Sequence, residues 1–163
     1  MFILARAVTY SVLFIGLFLV FLPARVLSEA GVVAPGAFGA AQAAGMMLGV
    51  AGAALALSCI GTFVLVGKGT PAPFDPPRRL VVRGPYGIVR NPMYIGAALA
   101  MAGAALFYRS FALLGYVVLF LAVTHVFVRV YEEPTLQRAF DAEYIAYCRT
   151  VGRWWPRRRP TKS

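Results

Sequence analysis

The chain has 163 residues, 60% hydrophobic and 13% charged, with a mean hydropathy of +0.73 and a formal net charge of +10. A soluble domain of this size needs a polar exterior that such a composition does not supply, which excludes an ordinary water-soluble globule. The basic excess points to membrane topology and anionic lipid rather than to nucleic acid, because no soluble domain remains to carry a nucleic-acid interface.

Charge-free intervals mark the elements. No charged residue falls between Arg6 and Arg25, Glu29 and Lys68, Arg90 and Arg109, or Arg109 and Arg129. About 20 apolar residues at ~1.5 Å each cross a ~30 Å hydrocarbon layer, so transmembrane helices are expected near 7–23, 38–66, 92–108 and 111–130. The first segment also loosely fits a signal peptide, with Arg6, an apolar stretch and Ser28-Glu29-Ala30. Span two carries Gly45, Gly49, Gly52, Ala53 and Ala56, and span three carries Gly96, Ala100, Gly103 and Ala104. Small residues at helical spacing let backbones approach closely in lipid, within a bundle or at a homodimer face.

The connection 67–91 is rich in proline (Pro71, Pro73, Pro76, Pro77) and turns at Gly84-Pro85-Tyr86-Gly87, so it reads as an ordered loop. Asn91 and Pro92 suit the N-cap and first position of a helix. After Pro134 the pattern is again helical, with Leu136, Phe140, Tyr144, Tyr147 and Val151 on one stripe. That amphipathic helix, followed by Trp154-Trp155 and Arg157-Arg158-Arg159, is expected to lie on the membrane surface and roof the ends of spans three and four.

Of the 16 Lys and Arg residues, only Arg25 and Arg109 fall on the other face, which makes the face with both termini cytoplasmic. The expected fold is all-α: a polytopic membrane helical bundle of about four transmembrane helices plus a C-terminal amphipathic interfacial helix. Residues 1–66 form N-terminal transmembrane helices. Residues 67–163 form a core of Pro-rich loop, two-helix hairpin and interfacial helix. An inner or plasma membrane is the expected location, with membrane lipids and a hydrophobic or lipid substrate as partners and a homodimer possible.

A hairpin of spans three and four brings Arg90-Asn91-Pro92-Met93-Tyr94 and Arg129-Val130-Tyr131-Glu132-Glu133 to one interface. His125, Arg129 and Glu132 are spaced i, i+4, i+7 and share one face of a regular helix. Ionisable residues at membrane depth face a bundle interior or a wet cavity. Two readings stay open: Arg129 and Glu132 pair or snorkel, and His125 is a neutral histidine bonded to a neighbouring helix; or these groups carry chemistry. Cys59 and Cys148 have no metal-ligand spacing and lie too far apart in the topology to pair, so no metal is expected.

From Arg78 to Pro156 the chain resembles the integral-membrane methyltransferases that use S-adenosylmethionine, which include isoprenylcysteine carboxyl methyltransferases and phospholipid N-methyltransferases. Leu80-Val81, Gly84, Tyr86 and Arg90 before Asn91-Pro92-Met93-Tyr94 resemble the first cofactor segment. Glu132-Glu133, Leu136, Phe140, Tyr144, Tyr147, Val151, Arg153 and Pro156 resemble the second. Asn91 stands where the prenylcysteine enzymes usually have histidine, and Asn-Pro-Met-Tyr with Tyr-Glu-Glu-Pro is similar to the phosphatidylethanolamine N-methyltransferases. The tail, with Tyr144, Tyr147 and Arg153-Trp154, leans toward the prenylcysteine side.

The resemblance implies S-adenosylmethionine as cofactor, with Leu80, Val81, Tyr86, Arg90, Asn91, Pro92, Met93, Tyr94 and Glu132 binding it. Glu132 suits the cofactor ammonium through a charge-assisted hydrogen bond, and Tyr86, Tyr94, Leu80 and Val81 suit the adenosine. Arg129 is implied on the substrate side, with Glu133 or His125 as base for an amine acceptor. The acceptor is an aminophospholipid amine, a prenylcysteine-like carboxylate or a small hydrophobic metabolite. The rival reading is a non-catalytic assembly or transport subunit that retains the scaffold.

Overall fold

Two of the apolar segments, spans two and three, meet backbone to backbone. The computed structural model describes Thr9, residues 12–67 and residues 79–157. Arg6, the prolines at 71–77 and Arg158-Arg159 lie outside the described residues. Five helices carry the fold: α1 (Val12–Glu29), α2 (Ala40–Thr62), α3 (Pro92–Phe107), α4 (Phe111–Phe127) and α5 (Glu133–Thr150). Among the described residues the one strand-like feature is an isolated parallel bridge between Val89 and Gly152. The chain is thus an all-helical bundle.

Among the described residues, three helices are long and apolar enough to cross a membrane: α1, α2 and a 40-residue stretch from Phe111 to Thr150. The expected span at 92–108 is present as α3, but its 16 residues reach only about 24 Å at ~1.5 Å each, short of a ~30 Å layer. The 40-residue stretch has the opposite mismatch, with more residues than one crossing of the layer needs, and it bends at Asp141. Its first part, α4, carries no Asp, Glu, Lys or Arg, and the charged residues begin at Arg129. The expected helix after Pro134 follows directly on span four, and the non-helical backbone of Asp141 (φ 37°, ψ -112°) kinks it inside α5.

Glycines make the α2–α3 seam. A Cβ on Gly52 would stand 2.4 Å from Ala100 N, and one on Gly103 would stand 2.4 Å from Gly49 N. Gly45 and Gly96 are equally closed, at 2.6 Å from Gly103 O and 2.8 Å from Ala56 N. The small-residue stripe of span two is therefore occupied within the chain. Dispersion contacts at this range replace the hydrophobic driving force that lipid cannot supply. At one end of the seam, the buried Gln42 donates to Phe107 O (3.1 Å) and accepts from Gly39 N (3.1 Å).

Helix α1 packs antiparallel on α4, with Phe14 and Phe18 against Phe120. Its stretch Ile15–Phe21 is π-helical, as shown by Leu22 N bonding Leu17 O. In that register Phe18 O faces Pro23, which has no N–H to give. The Tyr116 hydroxyl donates to Phe18 O instead, at 3.0 Å. Of the two further π-helical stretches, Phe63–Gly67 and Val128–Glu132, the latter precedes Pro134 in the same way, with Glu133 N bonding Val128 O. Widening the helix relieves the clash of each proline ring with the carbonyl four residues back.

The seam and the outward faces respond differently to substitution. Gly103→Val is expected to cost about 2–3 kcal/mol by overpacking, and to lower the thermal midpoint in detergent by more than about 5 °C. Gly115→Ala, where nothing lies within 4 Å of an added Cβ, is expected to leave it unchanged or slightly raised.

Candidate active site

The loop that enters α3 is held from both sides. The 3-10 turn Gly84–Gly87 starts at a left-handed glycine (φ 59°) lying against the Thr62 side chain, a conformation that side-chain-bearing residues adopt at a cost. It buries Tyr86 edge-on against Phe63 with ring centroids 5.1 Å apart. From α5, the Tyr147 hydroxyl donates to Tyr86 O at 2.7 Å. From the tail, Gly152 O accepts Arg90 N–H at 2.9 Å. A Cβ on Gly152 would fall 2.0 Å from Trp155 O, so the tail can make this turn only with glycine.

Asn91 occupies the N-cap position of α3, but its side chain does not cap the helix. Its amide Nδ2 donates instead to Arg153 O, 62 residues away, at 3.2 Å. Pro92 takes the first helical position and is buried. The helix start thus rests on proline alone, and the asparagine ties the tail to the site.

Glu133 sits between two guanidinium groups. Arg153 Nε and Nη2 donate to its two oxygens, both at 2.7 Å, and Arg90 Nη1 lies 3.2 Å from Oε1. Arg90 Nη1 also reaches the Tyr144 hydroxyl (3.5 Å) and Cys148 Sγ, while its buried Nε has no partner among the described residues. Glu132 is held differently: Oε2 accepts the Tyr94 hydroxyl at 3.1 Å, and Oε1 has no hydrogen bond among the described residues.

Burial pushes the Glu132 carboxyl up to about 7; the Tyr94 hydrogen bond opposes this and the Glu133 charge adds to it. Burial likewise raises Tyr86, Tyr144 and Tyr147, so all three remain protonated. The hydrogen bonds to Glu133 raise Arg153 further above its ordinary value.

A small cleft with an enclosed space of about 20 Å³ lies among Arg90, Asn91, Glu132, Glu133, Tyr144 and Tyr147, with Val128 and Leu136 also lining it. Of the residues expected from sequence, Arg90, Asn91, Glu132 and Glu133 line it, and Tyr94 reaches it through Glu132. Leu80 packs behind the Tyr144 and Tyr147 wall, while Val81, Tyr86 and Met93 pack around Cys59.

His125 and Arg129 stand apart. The π turn takes in an extra residue, a rotation of roughly 100° relative to a regular helix. Glu132 therefore turns inward, while Arg129 stays exposed with no hydrogen bond or ion pair among the described residues. His125 Nδ1 accepts the Trp154 indole N–H at 2.9 Å, the neighbour-bonded arrangement expected of a neutral histidine.

Trp154 and Trp155 divide. Trp154 is half-buried, with its ring 6.0 Å from His125 and 6.5 Å from Tyr94, whereas Trp155 is 82% exposed. Nothing in the local pattern separates the two. Only the turn at Gly152 decides which tryptophan faces the bundle.

The cleft offers a carboxylate with a free oxygen beside a guanidinium with a free N–H, a set that suits a zwitterion carrying ammonium and carboxylate. Its enclosed space, about 20 Å³, is that of about one water, so a ligand's polar end enters only if the lining side chains part.

A model of the phospholipid methyltransferase family matches residues 40–143, more than half of the chain. The chain belongs to the phospholipid methyltransferase family. It is thus a membrane methyltransferase, and the matched region runs from the α2 seam through Arg90, Asn91, Glu132 and Glu133. No curated protein and no solved structure matches it. Tyr144, Tyr147, Arg153 and Trp154, which complete the cleft and its supports, lie beyond the matched region.

The fork on Glu133 has a measurable consequence. Arg153→Ala is expected to lower stability by about 1–3 kcal/mol, and Arg153→Lys by less, because lysine keeps the charge without the planar fork. Thermal unfolding of both variants in detergent checks the order.

Proposed function

We propose that the chain transfers a methyl group from S-adenosylmethionine to a lipid-like acceptor at the cytoplasmic surface of an inner or plasma membrane. The observation that carries the reading is that one cleft is lined by Glu132, a carboxylate with a free oxygen, and by Arg90, whose buried Nε–H has no partner among the described residues. In a phospholipid methyltransferase this pair fits the amino-acid end of S-adenosylmethionine, Glu132 for the ammonium and Arg90 for the carboxylate. When bound, S-adenosylmethionine supplies an electrophilic methyl group on a sulfonium. The basic excess on the face with both termini supports the cytoplasmic side.

The residues act mainly by placement. Holding nucleophile and methyl in line can supply up to roughly 7–11 kcal/mol of barrier reduction without acid or base. Tyr144 and Tyr147 wall the cleft against water from the α5 side. Glu133 is a poor base because guanidinium groups already occupy both of its oxygens, and the His125 Nδ1 lone pair is already engaged by Trp154. An amine acceptor therefore enters in its neutral form, having released its proton to solvent at the cleft mouth. The exposed cation of Arg129 orients an anionic group of the acceptor, such as a lipid phosphate. The family favours an aminophospholipid amine as acceptor over a prenylcysteine-like carboxylate.

Calorimetry with S-adenosylhomocysteine in detergent tests the site. The wild type is expected to bind in the micromolar range and Glu132→Ala to lose binding; unchanged binding in that variant overturns the assignment. With Glu132 titrating near 7, protonation below that pH removes the charge that pairs with ammonium. Affinity is therefore expected to rise about tenfold from pH 6 to pH 8, and to stay flat in Glu132→Gln. Membranes given methyl-labelled cofactor distinguish acceptors, since base-stable label in lipid marks an amine and base-labile label marks a carboxylate.

A further inference from the structure

His125 lies outside the cleft, yet the structure does not leave it as an idle core residue. The Trp154 indole N–H donates to Nδ1 at 2.9 Å, with the two rings stacked at 28°. An indole nitrogen only donates, so Nδ1 must be the bare, accepting nitrogen and Nε2 carries the proton. The tail has therefore selected one tautomer. That Nε2–H has no partner among the described residues, and it is not enclosed, since Arg90 Nε is the sole buried side-chain polar atom there without a partner.

Leu121 and Arg129, one turn to either side of His125, are both exposed, so this face of α4 opens outward toward its cytoplasmic end. An unpaired donor at that depth is costly in hydrocarbon and calls for an oxygen partner. Side chains link this face to the cleft: the Trp154 ring is 6.0 Å from His125 and 6.5 Å from Tyr94, and the Tyr94 hydroxyl contacts Glu132.

We infer that His125 is a substrate-binding residue whose Nε2–H donates to an anionic oxygen of the acceptor headgroup, and that Trp154 is the residue that positions it. With Arg129 one turn nearer the surface, a point charge and a directional donor lie on one face, suited to a phosphate diester or a carboxylate beside the reacting atom. This rests on the lipid-acceptor reading above, and it replaces proton abstraction by His125 with recognition of the acceptor.

Isosteric substitutions separate these roles. Glutamine places an amide N–H near the position of Nε2, whereas asparagine reaches only the position of Nδ1. In methyl-transfer assays His125→Asn is expected to raise the KM for the lipid acceptor about tenfold, with kcat changed less than twofold and S-adenosylhomocysteine affinity unchanged. His125→Gln is expected to stay within about threefold of wild type. Trp154→Phe keeps the ring but not the N–H, so it is expected to raise the acceptor KM severalfold, and adding His125→Gln to it is expected to restore the lower value. Equal KM in His125→Asn and wild type overturns the proposal. A fall in kcat without a change in KM, shared by both His125 variants, also overturns it in favour of a base.

A binding readout keeps the test independent of turnover and of His125→Asn folding. In a Trp155→Phe background, Trp154 is the sole tryptophan and its fluorescence reports the site. Brominated-chain phosphatidylethanolamine in mixed micelles is expected to quench it saturably, with weaker affinity in His125→Gln/Arg129→Gln than in His125→Gln alone. Quenching by brominated phosphatidylethanolamine but not by a brominated prenylcysteine analogue assigns the oxygen to phosphate, and the reverse assigns it to carboxylate. Quenching that is linear and non-saturating with both probes overturns the proposal. Saturable quenching without methyl transfer by the wild type retains the lipid site but rejects the methyl-transfer reading.

Discussion

The arrangement depends on one ion cluster, Arg90–Glu133–Arg153, which joins three parts of the chain that are remote in sequence. Glu133 begins α5, Arg90 precedes α3, and Arg153 belongs to the tail. With the Glu133 side chain 18% exposed, removal of either arginine leaves a largely desolvated carboxylate undercompensated. Around the cluster two of these segments, the α3 entry and the tail, make neutral ties, from Asn91 to Arg153 O and from Arg90 N to Gly152 O. The charges give these ties strength and the backbone bonds give them geometry.

That cluster sets the division of labour between two adjacent carboxylates. Two neighbouring anions in one cleft would repel and compete for Arg90. The Arg153 fork resolves the competition by holding Glu133 from the tail side, and the π turn faces Glu132 to Tyr94 and the cleft. The proline that widens the helix, Pro134, thus contributes to the chemistry through register. A regular α-helix through Val128–Glu132 would place Glu132 close to the face of His125 and Arg129.

The bundle supplies rigidity for this placement. The α2–α3 seam approaches at distances that only glycine allows, and it fixes the helix whose first turn carries Tyr94. Helix α1 lies on the α4 side, where Tyr116 satisfies the carbonyl that Pro23 leaves without a donor. In hydrocarbon there is no water to complete such bonds, so each proline-induced gap needs a partner from the protein.

Much of this protein was legible in the sequence. Charge-free runs and their basic flanks determine helices and membrane character because the cost of a charge in hydrocarbon is local and large. The stripe Leu136, Phe140, Tyr144, Tyr147, Val151 and the small residues of spans two and three report packing faces, because helical period alone sets them. Tertiary structure decided the rest: that Asn91 ties the tail rather than capping α3, that Trp154 engages His125 while Trp155 is exposed, and that His125, Arg129 and Glu132 part company. The physical reason is the same in each case. A single extra residue in a helical turn, or a bond spanning 62 residues, changes which way a side chain faces while leaving hydrophobic periodicity and composition untouched.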